Sequence, residues 1–300
     1  MDLAYLRAHP TQLPTFLAHQ RIRETPVTGG SICAASRLTL DDGHSILTKS
    51  WPQRSGEPTP EGFFAAEAAG LHWLGEAEAV PVPEVLVALP GLLALAWVET
   101  GEPTPEAAEG FGRDLARLHR AGAPAFGARW SGYVGALPQD NTPQDGPWST
   151  WFAGRRLDPY LRLSVANGAL TSTETALVEA VIERIGEFGG DEPPARIHGD
   201  LWPGNLLWGA DGRVWLIDPA AHGGHRETDL AQLALFGGVA HGDRILGAYQ
   251  DEWPLAAGWR ARVPLHQLHL LLVHTALFGA EYRAAVAAAA RDALSAGHPE

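Results

Sequence analysis

Between Glu61 and Leu74 the apolar residues Phe63, Phe64, Ala68, Leu71 and Leu74 recur at helical spacing, which predicts one amphipathic helix over 61–75. Ahead of that helix the period shortens. Residues 25–50 read as strands around a glycine turn, Thr28-Gly29-Gly30-Ser31, and a polar turn, Asp41-Asp42-Gly43. Val85 to Leu89 and Leu92 to Val98 read as strands joined across Pro90-Gly91. Residues 1–19 predict short helices interrupted at Pro10 and Pro14, and residues 52–60, with three prolines, predict a loop. Residues 1–100 therefore predict a β-rich lobe holding a sheet and a helix, and the short Gly/Pro-containing stretch Glu99 to Pro105 predicts a hinge.

Residues 101–300 predict a mainly helical second lobe. Ala107 to Ala121 places Phe111, Leu115 and Leu118 on one face, and helices are expected at 148–166, 172–188, 227–236, 242–250 and 264–297. Residues 122–147, rich in Gly, Pro and Trp, predict an extended loop. One strand pair interrupts the helices: Leu206-Leu207-Trp208 and Val214-Trp215-Leu216-Ile217 flank Gly209-Ala210-Asp211-Gly212, a hairpin pattern. No internal repeat is visible. The expected class is α+β, in two lobes with a cleft between them.

Chemistry clusters about that hairpin. His198-Gly199-Asp200-Leu201-Trp202-Pro203-Gly204-Asn205 precedes its first strand, and Asp218-Pro219 follows its second. Asp200 lies two residues after His198, Asn205 five after Asp200, and Asp218 thirteen after Asn205. Pairing the strands brings Asn205 and Asp218 to one end. In the kinase signature the first Asp orients and deprotonates a hydroxyl, the Asn holds Mg²⁺, and the later Asp bridges Mg²⁺ to the phosphates. A neutral amide oxygen suits a hard ion already sharing charge with phosphates, whereas a hydrolytic metal cluster would favour carboxylates and imidazoles. A surface hairpin with incidental acids is the bland alternative, and the several motif parts in register argue against it. His198 is expected to orient the loop rather than move protons, and Asp229 to accept hydrogen bonds from the loop backbone.

Composition adds one exception and several exclusions. The 22 basic residues are arginines apart from a single lysine, Lys49, at the end of the apolar run Ser45 to Lys49. A compact ammonium fits beside two phosphates where a planar fork does not. Chance retention would explain it equally well, but for its position between the glycine turn Gly29-Gly30-Ser31, able to approach phosphates closely, and the helix holding Glu67. A strand Lys paired to a helix Glu is the kinase arrangement for holding nucleotide phosphates. Glu67 is the preferred partner from its mid-helix position, with Glu61 and Glu76 as alternatives. A net charge of −13, with acids scattered along the chain, argues against nucleic acid or an anionic membrane as partner. With one cysteine, Cys33, no internal disulfide forms; a packed small residue is its expected role and an intermolecular disulfide the runner-up. No signal-peptide pattern opens the chain. Its most apolar segment, Leu268 to Phe278, is broken by His269 and His274 and is too short to span a bilayer, so a cytoplasmic protein is expected.

These motifs resemble the fructosamine-3-kinase (ketosamine-3-kinase) family, within the aminoglycoside-phosphotransferase and protein-kinase-like superfamily. The resemblance runs from Gly29 to Tyr282 and rests on His198 to Asn205, Ile217-Asp218-Pro219-Ala220, Gly224-His225-Arg226-Glu227 with Asp229-Leu230-Ala231, and Phe236-Gly237-Gly238. Asp114 to His119 and Trp148 to Leu157 are also similar. Trp202 and the Gly-His-Arg-Glu run narrow the superfamily to this family. The resemblance implies a bilobal protein-kinase-like fold and ATP-dependent phosphorylation of the 3-hydroxyl of a ketoamine sugar, on a small-molecule or protein-bound glycated amine. The product sheds its amine, which reverses glycation. It implies Asp200 as base, Asn205 and Asp218 as Mg²⁺ ligands, Lys49 and Glu67 as the nucleotide-positioning pair, and Trp202 as a wall of the sugar pocket. It places His225 and Glu227 near the substrate. Trp202 as core packing, and His225 and Glu227 as helix-start residues, remain the alternatives. Two departures stand out: Ala220-Ala221-His222-Gly223 replaces residues that are often aromatic, and Ser31 stands where some relatives have cysteine. A monomer is favoured. The rival functions are a kinase of the aminoglycoside-phosphotransferase or choline-kinase type with another acceptor, a non-catalytic nucleotide-binding regulator, and a metal hydrolase using His198 and Asp200.

Overall fold

The computed structural model describes residues 3–19, 22–28, 30, 32–52 and 58–296. Gly29 and Ser31 of the expected phosphate turn lie outside the described residues.

An antiparallel sheet of five strands dominates the first lobe, in the order β1-β2-β3-β5-β4. Its strands are β1 Arg23–Val27, β2 Ala34–Thr39, β3 Ser45–Ser50, β4 Val85–Leu89 and β5 Leu92–Ala96. Strand alternation divides the apolar residues between two faces. Leu93 and Leu95 of β5 meet Phe63, Phe64, Ala68 and Leu71, the stripe of helix α3 (Phe63–Gly75; α1 is Leu3–Ala8 and α2 Leu13–His19). Ala94, between them, joins Leu38, Ile46 and Leu86 against Leu6, Leu13 and Phe16 of the two N-terminal helices. Lys49 pairs in register with Leu93 and so shares the face that α3 covers.

The second lobe begins at α4 (Pro105–Arg120), whose first turn is capped by the Thr104 side chain. There follow a small hairpin, β6 Gly132–Val134 and β7 Leu137–Gln139, then α5 Trp148–Phe152, α6 Asp158–Ala166 and α7 Ser172–Arg184. A π turn joins α5 to α6. Strands β8 Ala195–Ile197, β9 Leu206–Trp208, β10 Val214–Leu216 and β11 His222–Gly224 carry the motif region. Helices α8 Arg226–Gln232, α9 Gly242–Glu252, α10 Trp259–Phe278 and α11 Arg283–Ala296 complete the fold. The β9–β10 hairpin packs Leu206, Val214 and Leu216 onto Ala108, Phe111 and Leu115 of α4. Its far end binds the crossover between lobes: Gly101 N donates to the Trp208 carbonyl at 2.7 Å and Ala210 N to that of Glu99 at 2.8 Å.

Three expectations change. The helical stretch 264–297 is two helices, because Gly279 at φ 89° and ψ −154° ends α10 and lets α11 fold back onto it. The 122–147 loop contains the β6–β7 hairpin. Strands β8 and β11, paired antiparallel, were not foreseen: three residues each show no period. Gly223 of β11 lies so close to the chain at 125 that a Cβ there would overlap the Ala125 carbonyl oxygen.

The α4–α9 contact is equally close. A Cβ on Gly112 would overlap the Ile245 carbonyl oxygen, and backbone cannot rotate aside as a side chain can. Gly112→Ala is therefore expected to destabilise the protein by about 1–3 kcal/mol, despite alanine's better helix propensity. A denaturant midpoint equal to or above wild type would refute this packing.

Candidate active site

The loop after β8 is held from beneath by α8. Asp229, fully buried, accepts from the backbone N–H of His198 at 2.7 Å and of Gly199 at 2.9 Å. The same carboxylate meets His119 Nε2 at 3.1 Å, and His119 Nδ1 lies 2.9 Å from the Tyr249 hydroxyl. One turn along α8, Gln232 Oε1 accepts from Leu201 N at 2.7 Å. His198 Nδ1 accepts from Asp200 N at 3.2 Å, so its Nε2 carries the proton and donates to the Ile217 carbonyl at 2.9 Å. Burial lowers the His198 pKa and keeps the ring neutral, as that role requires. His198 thus ties the Asp200 loop to the chain entering Asp218.

Asp200 is positioned by Asn205, whose Nδ2 donates to the Asp200 carbonyl at 2.8 Å and to its Oδ2 at 3.0 Å. Oδ1 of Asp200 is buried and has no hydrogen-bond partner. Burial raises its pKa well above the usual carboxylate range; the Asn205 bond opposes the rise, and the charges of Asp218 and Asp229 add to it. A buried acceptor left unpaired costs stability unless a donor arrives.

Asp218 follows β10 in the left-handed region, φ 55°, an uncommon conformation for a non-glycine residue. It is held there by the 3.1 Å bond from Ile217 N to the Asn205 carbonyl and by Lys49. Lys49 Nζ donates to Glu67 Oε1 at 2.6 Å and also to Asp218 Oδ1. Burial alone would favour the neutral amine, but the Asp218 and Glu67 carboxylates outweigh it and raise the Lys49 pKa. The Lys49 side chain is only 9% exposed, whereas that of Asp218 is 40% exposed, so Asp218 presents its second oxygen to the cleft. The amide nitrogen of Asn205 is taken by Asp200, which leaves its oxygen as the free end. An amide oxygen and a carboxylate oxygen fit a hard divalent cation. Lys49, Glu67, Asp200, Asn205 and Asp218 are therefore brought together. Gly30 is described, but a Cβ there would make only an ordinary contact, 3.6 Å from the Cys33 carbonyl. Cys33 packs beside α3, and burial pushes its thiol up to about 12, which fits a packed, unreactive residue.

Trp202 stands beside this site in an aromatic group that sequence reasoning missed. Its ring meets Phe236 edge-on at 5.7 Å; Phe236 lies 4.5 Å from His274, which contacts Tyr282 at 5.1 Å. Phe236 is 40% exposed and Phe278, on the same patch, 42%, against the general burial of large apolar groups here. Phe236 also has φ 53°, a strained value for an aromatic residue. Two separate signals pointed to it, the Phe236-Gly237-Gly238 run and His274, a polar break in the most apolar segment of the chain.

His225 and Glu227 lie at the start of α8. Both are buried. His225 caps α8, its Nδ1 accepting from Glu227 N at 3.1 Å, while its Nε2 meets the Gly190 carbonyl. Glu227 takes Arg262 in a two-pronged ion pair, at 2.8 and 2.6 Å, with His266 at 3.4 Å. In this placement His225 serves the start of α8 and Glu227 anchors it to Arg262. His225, Glu227 and His266 have the types and spacing of metal ligands, but Arg262 occupies both carboxylate oxygens.

The chain matches the fructosamine kinase family over residues 11–296. It is 33% identical over 267 residues to an Enterococcus faecium protein named "probable ketoamine kinase", covering 86% of this chain and 90% of that one. The solved structure of a candidate fructosamine-3-kinase from Thermobifida fusca is similar with TM-score 0.86 at 49% identity, over 92% of this chain and 95% of that one. A choline kinase from Cryptosporidium parvum is similar in fold alone, with TM-score 0.62 at 11% identity over 98% of this chain and 94% of that one. The fold is protein-kinase-like. Among the described residues no helix is long and apolar enough to cross a membrane.

Behind the site the interior holds several neutral histidines. Burial lowers the pKa of His269 well below its ordinary value, and its Nε2 is buried without a partner. The unfolded chain protonates at about 6.5 and the native ring does not, so the native state loses stability as pH falls below that value. His269→Phe is expected to flatten the fall in denaturant midpoint between pH 6.5 and 4.5 relative to wild type. An unchanged slope would show that His269 is not held neutral.

Proposed function

The chain belongs to the fructosamine kinase family and is a phosphotransferase acting on a sugar hydroxyl, a ketosamine kinase; from that premise we propose that MgATP is the donor and the 3-hydroxyl of a ketoamine sugar the acceptor. The observation that carries the reading is the convergence of the Glu67 and Asp218 carboxylates on the Lys49 ammonium, beside an Asp200 whose free oxygen lacks a donor. Lys49 holds the nucleotide phosphates and Glu67 fixes its direction. Asp200 accepts a hydrogen bond through Oδ1 from the sugar hydroxyl and takes its proton late in the transfer. Asn205, bonded to Asp200, keeps that carboxylate aimed. Asn205 and Asp218 hold Mg²⁺, which when bound neutralises charge on the transferring group. Trp202 offers its indole face to the C–H face of the sugar, and the exposed rings of Phe236 and Phe278 extend an apolar surface toward the amine substituent. Phosphorylation at O3 labilises the sugar–amine linkage, and the reading extends to deglycation of small-molecule or protein-bound amines.

A kinase for another alcohol, of the aminoglycoside or choline type, is supported by fold likeness alone. A regulator without activity has no need of the complete Lys49, Asp200, Asn205 and Asp218 set. A metal hydrolase is disfavoured because both His198 nitrogens are engaged in holding the loop.

Phosphate transfer measured across fructosamines, ribulosamines, aminoglycosides and choline separates these readings: ketoamines should be phosphorylated with the highest kcat/KM, and an aminoglycoside or choline ahead of them would overturn the acceptor. Asp200→Asn should lower kcat by about 10²–10⁴-fold while ATP affinity is kept; near-normal turnover would remove Asp200 from the role. Trp202→Ala should raise KM for the ketoamine about tenfold, roughly the 1.4 kcal/mol of a lost stacking contact, with KM for ATP unchanged. An equal rise in both would make Trp202 a packing residue.

A further inference from the structure

A pocket of about 400 Å³ is lined by Trp73, Pro124, Ala128, Arg129, Trp130 and Pro143. That volume lies within the range of small-molecule sites. The reaction described above uses none of these residues. Trp73 and Trp130 meet edge-on at 5.6 Å, so the pocket offers flat indole surfaces together with two prolines. Its single charged lining residue is Arg129, which is exposed and has no carboxylate partner among the described residues. On a chain with a net charge of −13, an unpaired guanidinium at the edge of an aromatic pocket selects for an anion.

The walls of this pocket lead to both halves of the active site. Trp73 lies six residues after Glu67 on α3. The Arg196 guanidinium stacks over the Trp73 ring at 4.6 Å, and its Nη1 donates to the Trp73 carbonyl. Arg196 sits on β8, four residues before Asp200. On the opposite wall, Gly127 exchanges two backbone hydrogen bonds of 2.8 Å with Gly223 of β11, the strand paired with β8. A ligand pressing on Trp73 therefore acts on the helix that aims Glu67 at Lys49 and on the strand that feeds the Asp200 loop.

We propose that this pocket is an effector site for a small aromatic carboxylate, with the ring against Trp73 and Trp130 and the carboxylate on Arg129, and that its occupancy alters nucleotide affinity through α3 and β8. A ligand shifts an equilibrium only through its different affinity for two states. Here those states are two settings of α3 relative to β8, joined by Trp73 and Arg196.

The test uses the full chain and equilibrium binding, so it does not depend on which acceptor is phosphorylated. Titration of 1-naphthylacetate by calorimetry should show saturable binding at one site. Arg129→Gln should weaken it at least fivefold, roughly the loss of one charge-assisted contact. Ala128→Trp, which fills the pocket, should abolish it; an unchanged melting temperature shows that this variant folds, and Arg129→Gln tests the site independently. At saturating probe the affinity for a non-hydrolysable ATP analogue should change by about fivefold or more, and the analogue should change probe affinity by the same factor. The absence of saturable binding at millimolar probe, or binding indifferent to both substitutions, would overturn the site. Binding without any change in nucleotide affinity would overturn its role as an effector. Asp200→Asn should bind the probe as wild type does, which separates failure here from failure of the phosphotransfer reading.

Discussion

A single buried ammonium holds the two lobes in register. Lys49 comes from β3, Glu67 from α3 and Asp218 from the end of the β9–β10 hairpin, so one side chain joins sheet, helix and second lobe. Burying Lys49 and Glu67 costs several kcal/mol per ion, and the cost is offset only while their pairing is kept. Removal of either carboxylate leaves Lys49 underpaired in a site with little water. The left-handed backbone at Asp218 belongs to the same constraint, because the hairpin must turn sharply to bring that carboxylate back under the sheet. The cleft is thus shaped before any nucleotide enters, which is the preorganisation that phosphoryl transfer requires.

The second lobe applies the same logic with an opposite charge. Asp229 is a buried carboxylate whose compensation comes from backbone N–H groups of the catalytic loop and from His119. That loop cannot relax without stranding a charge in the interior. Asp200, by contrast, keeps one oxygen without a donor. Saturation at Asp229 and deficiency at Asp200, on neighbouring segments, match the supporting and chemical roles proposed for them.

Much of this was legible along the chain because the parts that matter are local. The hairpin 206–216 brings Asn205 and Asp218 together by turn chemistry alone, and the period of 61–75 announces α3 and hence Glu67. Lys49 was visible because every other basic side chain is arginine. What remained hidden was long-range. Trp202, Phe236, His274 and Tyr282 meet only after α10 has crossed the lobe and Gly279 has reversed the chain. The directions of His225 and Glu227 were hidden too, because nearness to a motif in sequence does not give direction. At the start of α8 one side chain turns back to cap the helix and the next acid meets Arg262, 35 residues away in sequence. Strands β8 and β11 were too short for any period, although the close approach at Gly223 explains why a glycine stands there.

Helix α3 links these observations. Its apolar stripe fixes it to the sheet, and its buried acid fixes it to Lys49. Its last turn, however, leans on the second lobe through Trp73 and Arg196, whose Nε is buried without a partner. Glu67 bonds Lys49 at 2.6 Å, and an ion pair at that distance is sensitive to shifts of a few tenths of an ångström. In the proposed effector site, the Trp73 end of α3 is thus the point from which a ligand acts on the Lys49–Glu67 pair.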